Sequence, residues 1–396
     1  MIDVDLTEFR KSDVYRLTAS QRGALAEALP SLTIEPAGDT NGEFTLTPSS
    51  IVGAVKVSGL SVRINPKIGI PKLLALACYA LRFYDVRDLV DDLEKDETLP
   101  DALALALGHT ARRAFAGGLM HDYLTRDESL HTVRGRIRFD EQLRRRFSLP
   151  LPVEVRYDDY TDDILPNRLV KAAALRLRKA GLRGVKSKRE LAWIAGMLDN
   201  VTPTEFSRRE LTDVKADDLS ARYRDVVKLS CLILRRGAYE SARGEVRSTG
   251  FTMDMNQVFQ EFVAVALREK LGLSDRAFKS EKQVWLDKGE KILTKPDLSW
   301  WENGKCVFVG DAKYKNIAEK TVPPTADLYQ MLAYVTALNL PRGLLIYAKD
   351  EAQPAAYQVR HSGKWLEVAA LDLSGSLKEV LDRVSVLASM IRKLRL

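Results

Sequence analysis

Apolar residues in the first part of the chain follow a two-residue period. Ile51-Val-Gly-Ala-Val-Lys-Val57 and Leu60-Ser-Val-Arg-Ile64 flank Ser58-Gly59, a pattern that predicts two strands joined by a tight hairpin. Pro66 has no amide hydrogen to offer a neighbour and stops the second strand. From Ile70 to Leu81 the period lengthens, with Leu73, Leu74, Ala77 and Leu81 at helical spacing. Asp85–Pro100 is polar and acidic and reads as a surface segment. Asp101–Tyr123 is rich in Ala and Leu and reads as a helix, with Gly117-Gly118 as a break. Residues 1–100 are therefore expected to form a β-rich N-terminal domain.

The middle of the chain reads differently. Thr132-Val-Arg-Gly-Arg-Ile-Arg-Phe139 alternates, which would set Arg134, Arg136 and Arg138 on one side, and Arg144-Arg145-Arg146 follows. An acidic run at Asp158, Asp159, Asp162 and Asp163 reads as a solvated loop leading into a helix over Leu165–Ala180. Further helices are expected over Lys188–Leu198 and Ala221–Arg236. Residues 101–245 thus form a mainly helical region. The polar, glycine-containing stretch Gly237–Gly250 marks the boundary to a last domain, 246–396.

That last domain carries the chemistry. Met255, Val258, Phe259, Phe262, Val265 and Ala266 make one apolar arc of a helix ending near Leu271, with Glu261 at the edge of the arc. Lys291-Ile-Leu-Thr-Lys-Pro-Asp-Leu-Ser-Trp-Trp301, Glu302-Asn303-Gly304 and Lys305-Cys-Val-Phe-Val-Gly-Asp-Ala-Lys-Tyr314 then form a hairpin with a carboxylate in each arm. In the second arm Val307, Val309, Asp311 and Lys313 share a face by strand parity. A two-residue turn at Asn303-Gly304 would pair Asp297 with Gly310 and put it on the face opposite Asp311. A three-residue turn over Glu302–Gly304, or a bulge near Pro296, would bring the two carboxylates together. After Pro323-Pro324 a helix over Thr325–Leu338 aligns Asp327, Gln330 and Tyr334 on one face.

Composition narrows the class. Hydrophobic residues are 45% and charged residues 29% of 396, which fits a globular chain with more than one core. The richest apolar run, Leu73–Leu81, is too short for a membrane span, and the acidic start Met1-Ile2-Asp3-Val4-Asp5 is unlike a signal peptide. A cytoplasmic protein without a membrane partner is expected. Cys78, Cys231 and Cys306 lie far apart, and His109, His121, His131 and His361 lack ligand spacing, which argues against zinc, iron–sulfur or disulfide frameworks. The net charge is +7, and residues 131–250 hold 26 Lys and Arg against 17 Asp and Glu, a basic stretch suited to phosphates. Gly181-Leu-Arg-Gly-Val-Lys-Ser187 lacks the spacing of a phosphate-binding loop, so nucleotide hydrolysis by this chain is not expected. Two convergent carboxylates beside a lysine suit a hard cation with oxygen ligands, magnesium or in its place manganese, and phosphodiester hydrolysis.

Pro296-Asp297 followed by Asp311-Ala312-Lys313 resembles the PD-(D/E)xK nuclease pattern, and Glu261 and Gln330-x-x-x-Tyr334 resemble its auxiliary motifs. The hairpin at Ile51–Ile68, Arg134-Gly-Arg-Ile-Arg-Phe139, Tyr157-Asp-Asp-Tyr-Thr-Asp162, Asn167-Arg-Leu-Val-Lys171, Met253–Phe262, Gly310-Asp-Ala-Lys-Tyr-Lys315 and Asp327–Tyr334 together resemble the McrC family. The resemblance runs from about residue 45 onward; residues 1–44 add nothing specific to it. It implies an α+β multidomain protein ending in an α/β restriction-endonuclease-like domain. Asp297, Asp311 and Glu261 would be metal ligands, Lys313 the catalytic lysine and Gln330 a supporting catalytic residue, with Arg134, Arg136, Arg138 and Tyr334 as DNA contacts. It also implies a McrB-like AAA+ GTPase hexamer as partner. That partner would bind the GTP or ATP and be stimulated by this chain, and the substrate would be modified double-stranded DNA. Two other readings stand beside this one: a helicase-associated nuclease of the Cas4 or RecB kind, and a non-catalytic assembly factor of an AAA+ ring.

Overall fold

The computed structural model describes residues 2–38, 42–82, 98–147, 149–236, 240–243, 246–315, 323–348 and 354–395. The polar segment expected over Asp85–Pro100 falls mostly outside them. The fold is mixed α/β with several sheets, and it forms two compact units. One comprises Met1–Leu103, Ala180–Arg183 and Arg236–Leu396; the other comprises Ala104–Lys179 and Gly184–Arg235.

The division expected at residues 100 and 245 is corrected by a single strand. Val246–Asp254 pairs antiparallel with Ile51–Val57, so the N-terminal sheet takes a strand from the far side of the middle region. Its order is Ile2–Thr7, Leu60–Asn65, Ile51–Val57, Val246–Asp254, Glu240–Arg243. The Ser58-Gly59 hairpin forms as its residues predict: Val57 pairs with Leu60, and both turn residues have positive φ, 45° and 75°. Inward-facing Val4, Leu6, Val55, Val57, Leu60, Val62 and Ile64 pack on Ala24, Leu25 and Ala28 of the Ala19–Ala28 helix. Gly53 allows the strands to close. A Cβ there would sit 2.1 Å from the Phe251 carbonyl oxygen, and its φ of +137° is one that side chains rarely adopt.

Val246–Asp254 runs directly into the helix Met255–Leu271. Asp254 caps that helix through the amide of Asn256, and Gly272 ends it in the left-handed conformation. The helix underlies a six-stranded sheet ordered Phe278–Lys279, Leu298–Glu302, Lys305–Lys313, Arg342–Ala348, Trp365–Leu371, Ala355–Gln358. The Lys305–Lys313, Arg342–Ala348 and Trp365–Leu371 strands are parallel. The helix Thr325–Ala337 connects the first two of these and packs Met331, Tyr334 and Val335 on Val309, Leu345 and Tyr347. Tyr314, of opposite parity to Val309, meets Phe259 of the Met255–Leu271 helix on the other face.

The second unit is helical over Leu165–Lys179, Val185–Met197 and Ala221–Arg236, close to expectation. It also holds a sheet that the sequence pattern hides. The expected helix over Asp101–Tyr123 runs instead from Leu99 to Phe115, and Tyr123 lies in the strand Asp122–Leu130, paired with Val153–Thr161. Most residues of Asp122–Leu130 are polar and none is buried, so no apolar alternation betrays the strand. Cross-strand pairs hold it, among them Arg156–Asp127 at 2.6 Å and Arg126–Asp159 at 2.9 Å. Buried Asn167 organises the helices: its amide donates to the carbonyls of Met120 and Asp162, and its carbonyl accepts from the Tyr223 hydroxyl. Among the described residues no helix is long and apolar enough to cross a membrane.

Gly53→Ala is expected to destabilise the first unit by about 3 kcal/mol, from backbone strain and overlap with Phe251. Chemical denaturation would show it as a lower midpoint; an unchanged midpoint would mean that the strands can part at that point without cost.

Candidate active site

Parity along the hairpin decides whether the two carboxylates can meet. Glu302 pairs with Lys305 across a two-residue turn, in which Asn303 and Gly304 have φ of 48° and 80°. That turn alone would put Asp297 and Asp311 on opposite faces. The register shifts, however, between Trp300 and Trp301: Trp301 faces Cys306 while Trp300 faces Phe308, leaving Val307 as an extra residue. The bulge restores parity, and Leu298 pairs with Gly310. It lies in the second arm, not near Pro296 as the sequence suggests. It also changes which residues share the Asp311 face, since Cys306 instead of Val307 packs on the cluster around Val309. The Cys306 thiol donates to the Phe308 carbonyl across the bulge, at 3.1 Å.

Asp297 and Asp311 then lie side by side. The amide of Ala312 and the side-chain amide of Gln260 both donate to Asp297 Oδ2, at 3.0 and 2.8 Å, which leaves Oδ1 to be offered elsewhere. Asp311 is 1% exposed, and Lys313 Nζ stands 2.5 Å from its Oδ2. Neither Asp311 oxygen has a hydrogen bond of ordinary geometry. Lys313 also donates to Gln330 Oε1 at 2.9 Å; Gln330 donates to the Tyr334 hydroxyl, and that hydroxyl donates to the Lys295 carbonyl. The lysine is thus fixed by a chain of hydrogen bonds that ends two residues before Asp297.

Burial dominates the electrostatics. It pushes Asp297 up to about 7, with the charge of Asp311 as the next cause. Asp311 is raised by burial as well, against the pull of Lys313. Burial works to lower Lys313, but the two carboxylates outweigh it and the ammonium is held more firmly than usual. With both acids ionised, two carboxylates against one ammonium leave a negative excess in a water-poor place, and Asp311 Oδ1 has no hydrogen bond. That donor set fits a small hard cation such as magnesium.

Other expected site residues are placed differently. Glu261 is half-buried one position along the helix, but it is Gln260 that reaches Asp297. Among the described residues no three His, Cys, Asp or Glu side chains are grouped to hold a metal. Gln260 was not legible as a site residue, because it sits beside the acid on the same polar edge of the helix. Tyr334 was expected to touch DNA, but it is 4% exposed and its hydroxyl is taken up by Gln330 and Lys295. Arg134, Arg136 and Arg138 belong to the other unit. Of the alternating segment only Arg136-Ile137 is strand, because Gly135 turns the chain with φ of 70°. Arg134 is paired with Asp159 at 2.7 Å and stacked on Tyr157, and Arg138 lies 3.3 Å from Asp127. The acidic run is likewise committed. Asp158 accepts from Thr125, and Asp163 is held far below the usual carboxylate range, chiefly by Arg168.

Two outcomes follow. Between the ordinary value of 3.8 and about 7, the folded metal-free protein holds a proton at Asp297 that the unfolded chain has lost. Stability should therefore fall as pH rises through that window, and Asp297→Asn should remove this part of the slope in chelator-treated protein. Equal slopes for both proteins in urea titrations at pH 4, 5.5 and 7 would contradict it. Deleting Val307 should give a regular hairpin in which Asp297 still lies opposite Asp311, so the circular dichroism spectrum and magnesium binding by calorimetry should both stay near wild type; a loss of binding would mean that the bulge itself shapes the site.

No curated protein matches the sequence. Among solved structures, one chain from Thermococcus gammatolerans superposes with a TM-score of 0.59 at 17% identity, covering 98% of this chain and 100% of that one. It is described as a refined half-complex from a tetradecameric assembly of McrB AAA+ hexamers with bound McrC. A second, from the cryo-EM structure of the McrBC complex of the same organism, has 18% identity and a TM-score of 0.42 over 68% of this chain and 88% of that one. The first establishes likeness of fold; the second is too distant to add to it. The model of the family "McrBC 5-methylcytosine restriction system component" matches residues 46–348, well over half of the chain, and the chain belongs to that family.

Proposed function

We propose that this chain is the DNA-cutting subunit of a McrBC-type restriction complex. Its cutting domain is of the PD-(D/E)xK kind, and it hydrolyses phosphodiester bonds of modified double-stranded DNA with magnesium. The observation that carries the reading is the buried Asp297–Asp311–Lys313 cluster, whose carboxylate oxygens are under-satisfied and whose negative charge exceeds its positive charge. Family membership supports it. So does the shared fold with a chain described as part of an assembly of McrB AAA+ hexamers with bound McrC, which favours a McrB-like hexamer as partner and as the site of GTP or ATP.

Asp297 and Asp311 would hold the metal, with manganese able to replace magnesium. Bound there, the cation would polarise the scissile phosphate and make a water acidic enough to attack it. The chain's own groups do the rest. The Ala312 and Gln260 amides orient Asp297, so that one oxygen is aimed and little reorganisation is needed. Lys313 stays an ammonium, placed to neutralise charge that grows on the phosphoryl oxygens and to orient the attacking water. Gln330 and Tyr334 stop it from folding down onto Asp311 alone.

The reading is tested by mixing the chain with a McrB-like AAA+ protein, methylated or unmethylated plasmid, magnesium and GTP or ATP. Wild type should cleave; Asp311→Asn should lower cleavage by about three orders of magnitude while still stimulating the partner's nucleotide hydrolysis. Undiminished cleavage by Asp311→Asn would sink the assignment.

A further inference from the structure

The segment leading into Asp297 is a small sheet of its own. Val284–Trp285 and Leu293–Thr294 pair antiparallel, with Trp285 opposite Leu293, and neither strand joins the main sheets. Asp287 builds the loop between them by accepting from the amides of Gly289, Lys291 and Ile292 at 3.1, 2.9 and 2.8 Å. The Thr294 hydroxyl ties the base by donating to the Val284 carbonyl. A ribbon so tied is preorganised, yet its surface is what a folded chain usually hides. Trp285 is 42% exposed and Leu293 39%, directly across from each other. Lys288 and Lys291 stand exposed on the loop and Lys295 at the base.

Charge separates this ribbon from Arg134 and Arg138. Among the described residues, Lys288, Lys291 and Lys295 take part in no ion pair, whereas Arg134 and Arg138 are matched to carboxylates. The Asp287 carboxylate is spent on loop amides, so the tip presents two lysines against one exposed acid, Glu290. Position matters as much. Thr294 is three residues from Asp297, a reach of at most about 11 Å, or one to two phosphates along a strand. The intervening Lys295 carbonyl is the group clamped by Tyr334.

We propose that the Val284–Thr294 ribbon grips duplex DNA beside the scissile phosphate. This rests on the nuclease reading and names how that site holds its substrate. A two-stranded ribbon fits a DNA groove. Lys288, Lys291 and Lys295 meet phosphates, while Trp285 and Leu293 lie against sugars and base edges. The contact is sequence-tolerant, since lysines on phosphates and an indole on sugars carry no base code.

Binding of the full chain to a fluorescent 30-bp duplex is measured by anisotropy in calcium, across 50–200 mM salt. Lys288→Ala with Lys291→Ala should weaken binding and flatten the log–log salt slope by about 2, one unit per lost phosphate. Trp285→Ala should weaken binding roughly tenfold with the slope unchanged, in line with the loss of one aromatic contact. All these positions are exposed, so circular dichroism should match wild type. Wild-type affinity and slope in these variants, or no duplex binding by wild type, would overturn the proposal. Cleavage assays with the partner keep the two readings apart. If cleavage needs Asp311 but not the ribbon, the ribbon proposal fails alone. If binding needs the ribbon and wild type never cleaves, the nuclease reading fails alone.

Discussion

Two carboxylates held together in a nearly dry place repel each other, and the architecture of the larger unit is arranged around that repulsion. Asp297 and Asp311 could relieve it by turning away, by taking up a proton or by gaining a cation. Turning away is blocked for Asp297 by two amide donors and for Asp311 by its burial at the end of an apolar strand. Lys313 supplies part of the missing positive charge but is itself restrained by Gln330, so it cannot neutralise both acids. What is left is a place that gains by accepting a positive ion. The bulge at Val307 absorbs the odd residue that would otherwise set the two acids on opposite faces.

The restraints come from every layer that touches the sheet. Gln260 reaches in from the helix on one face and Gln330 and Tyr334 from the helix on the other. Tyr314, next in the chain after Lys313, is fully buried and donates to Glu8 at 2.7 Å. Glu8 also accepts from the Lys67 amide and is raised above its ordinary range by burial. Residues 1–45 lie before the family match, yet one of them anchors the end of the strand that bears the cluster. The first strand, Ile2–Thr7, also forms an edge of the N-terminal sheet.

Much of this was legible in the sequence, and what was not has physical reasons. The helix Met255–Leu271 was legible from its apolar arc, and it ends at Leu271 as that arc predicts. The Ser58-Gly59 hairpin was legible from the two-residue period on either side of it. Asp297, Asp311, Lys313, Gln330 and Tyr334 could be named from their spacing, and they converge. The register could not be read. Asn303-Gly304 favours a two-residue turn, and only the partner strand shows that Val307 is extra. Gln260 was hidden because an acid beside it is the more conspicuous residue. The Asp122–Leu130 strand was hidden because ion pairs and not apolar burial hold it. The union of the two chain ends was hidden because strand pairing across nearly two hundred residues leaves no local trace.

That union has a consequence for how the protein is made. Ile51–Val57 has Leu60–Asn65 beside it almost as soon as it is synthesised, but its other neighbour, Val246–Asp254, emerges far later. At ordinary translation speeds the interval is about 10–40 s. During that time the unfinished sheet presents an open edge of valines, while the intervening residues can already fold as their own unit. A nascent chain stopped within that interval has an unprotected edge and lacks the Asp297–Asp311–Lys313 cluster, so the cell meets an aggregation hazard before it meets the finished fold.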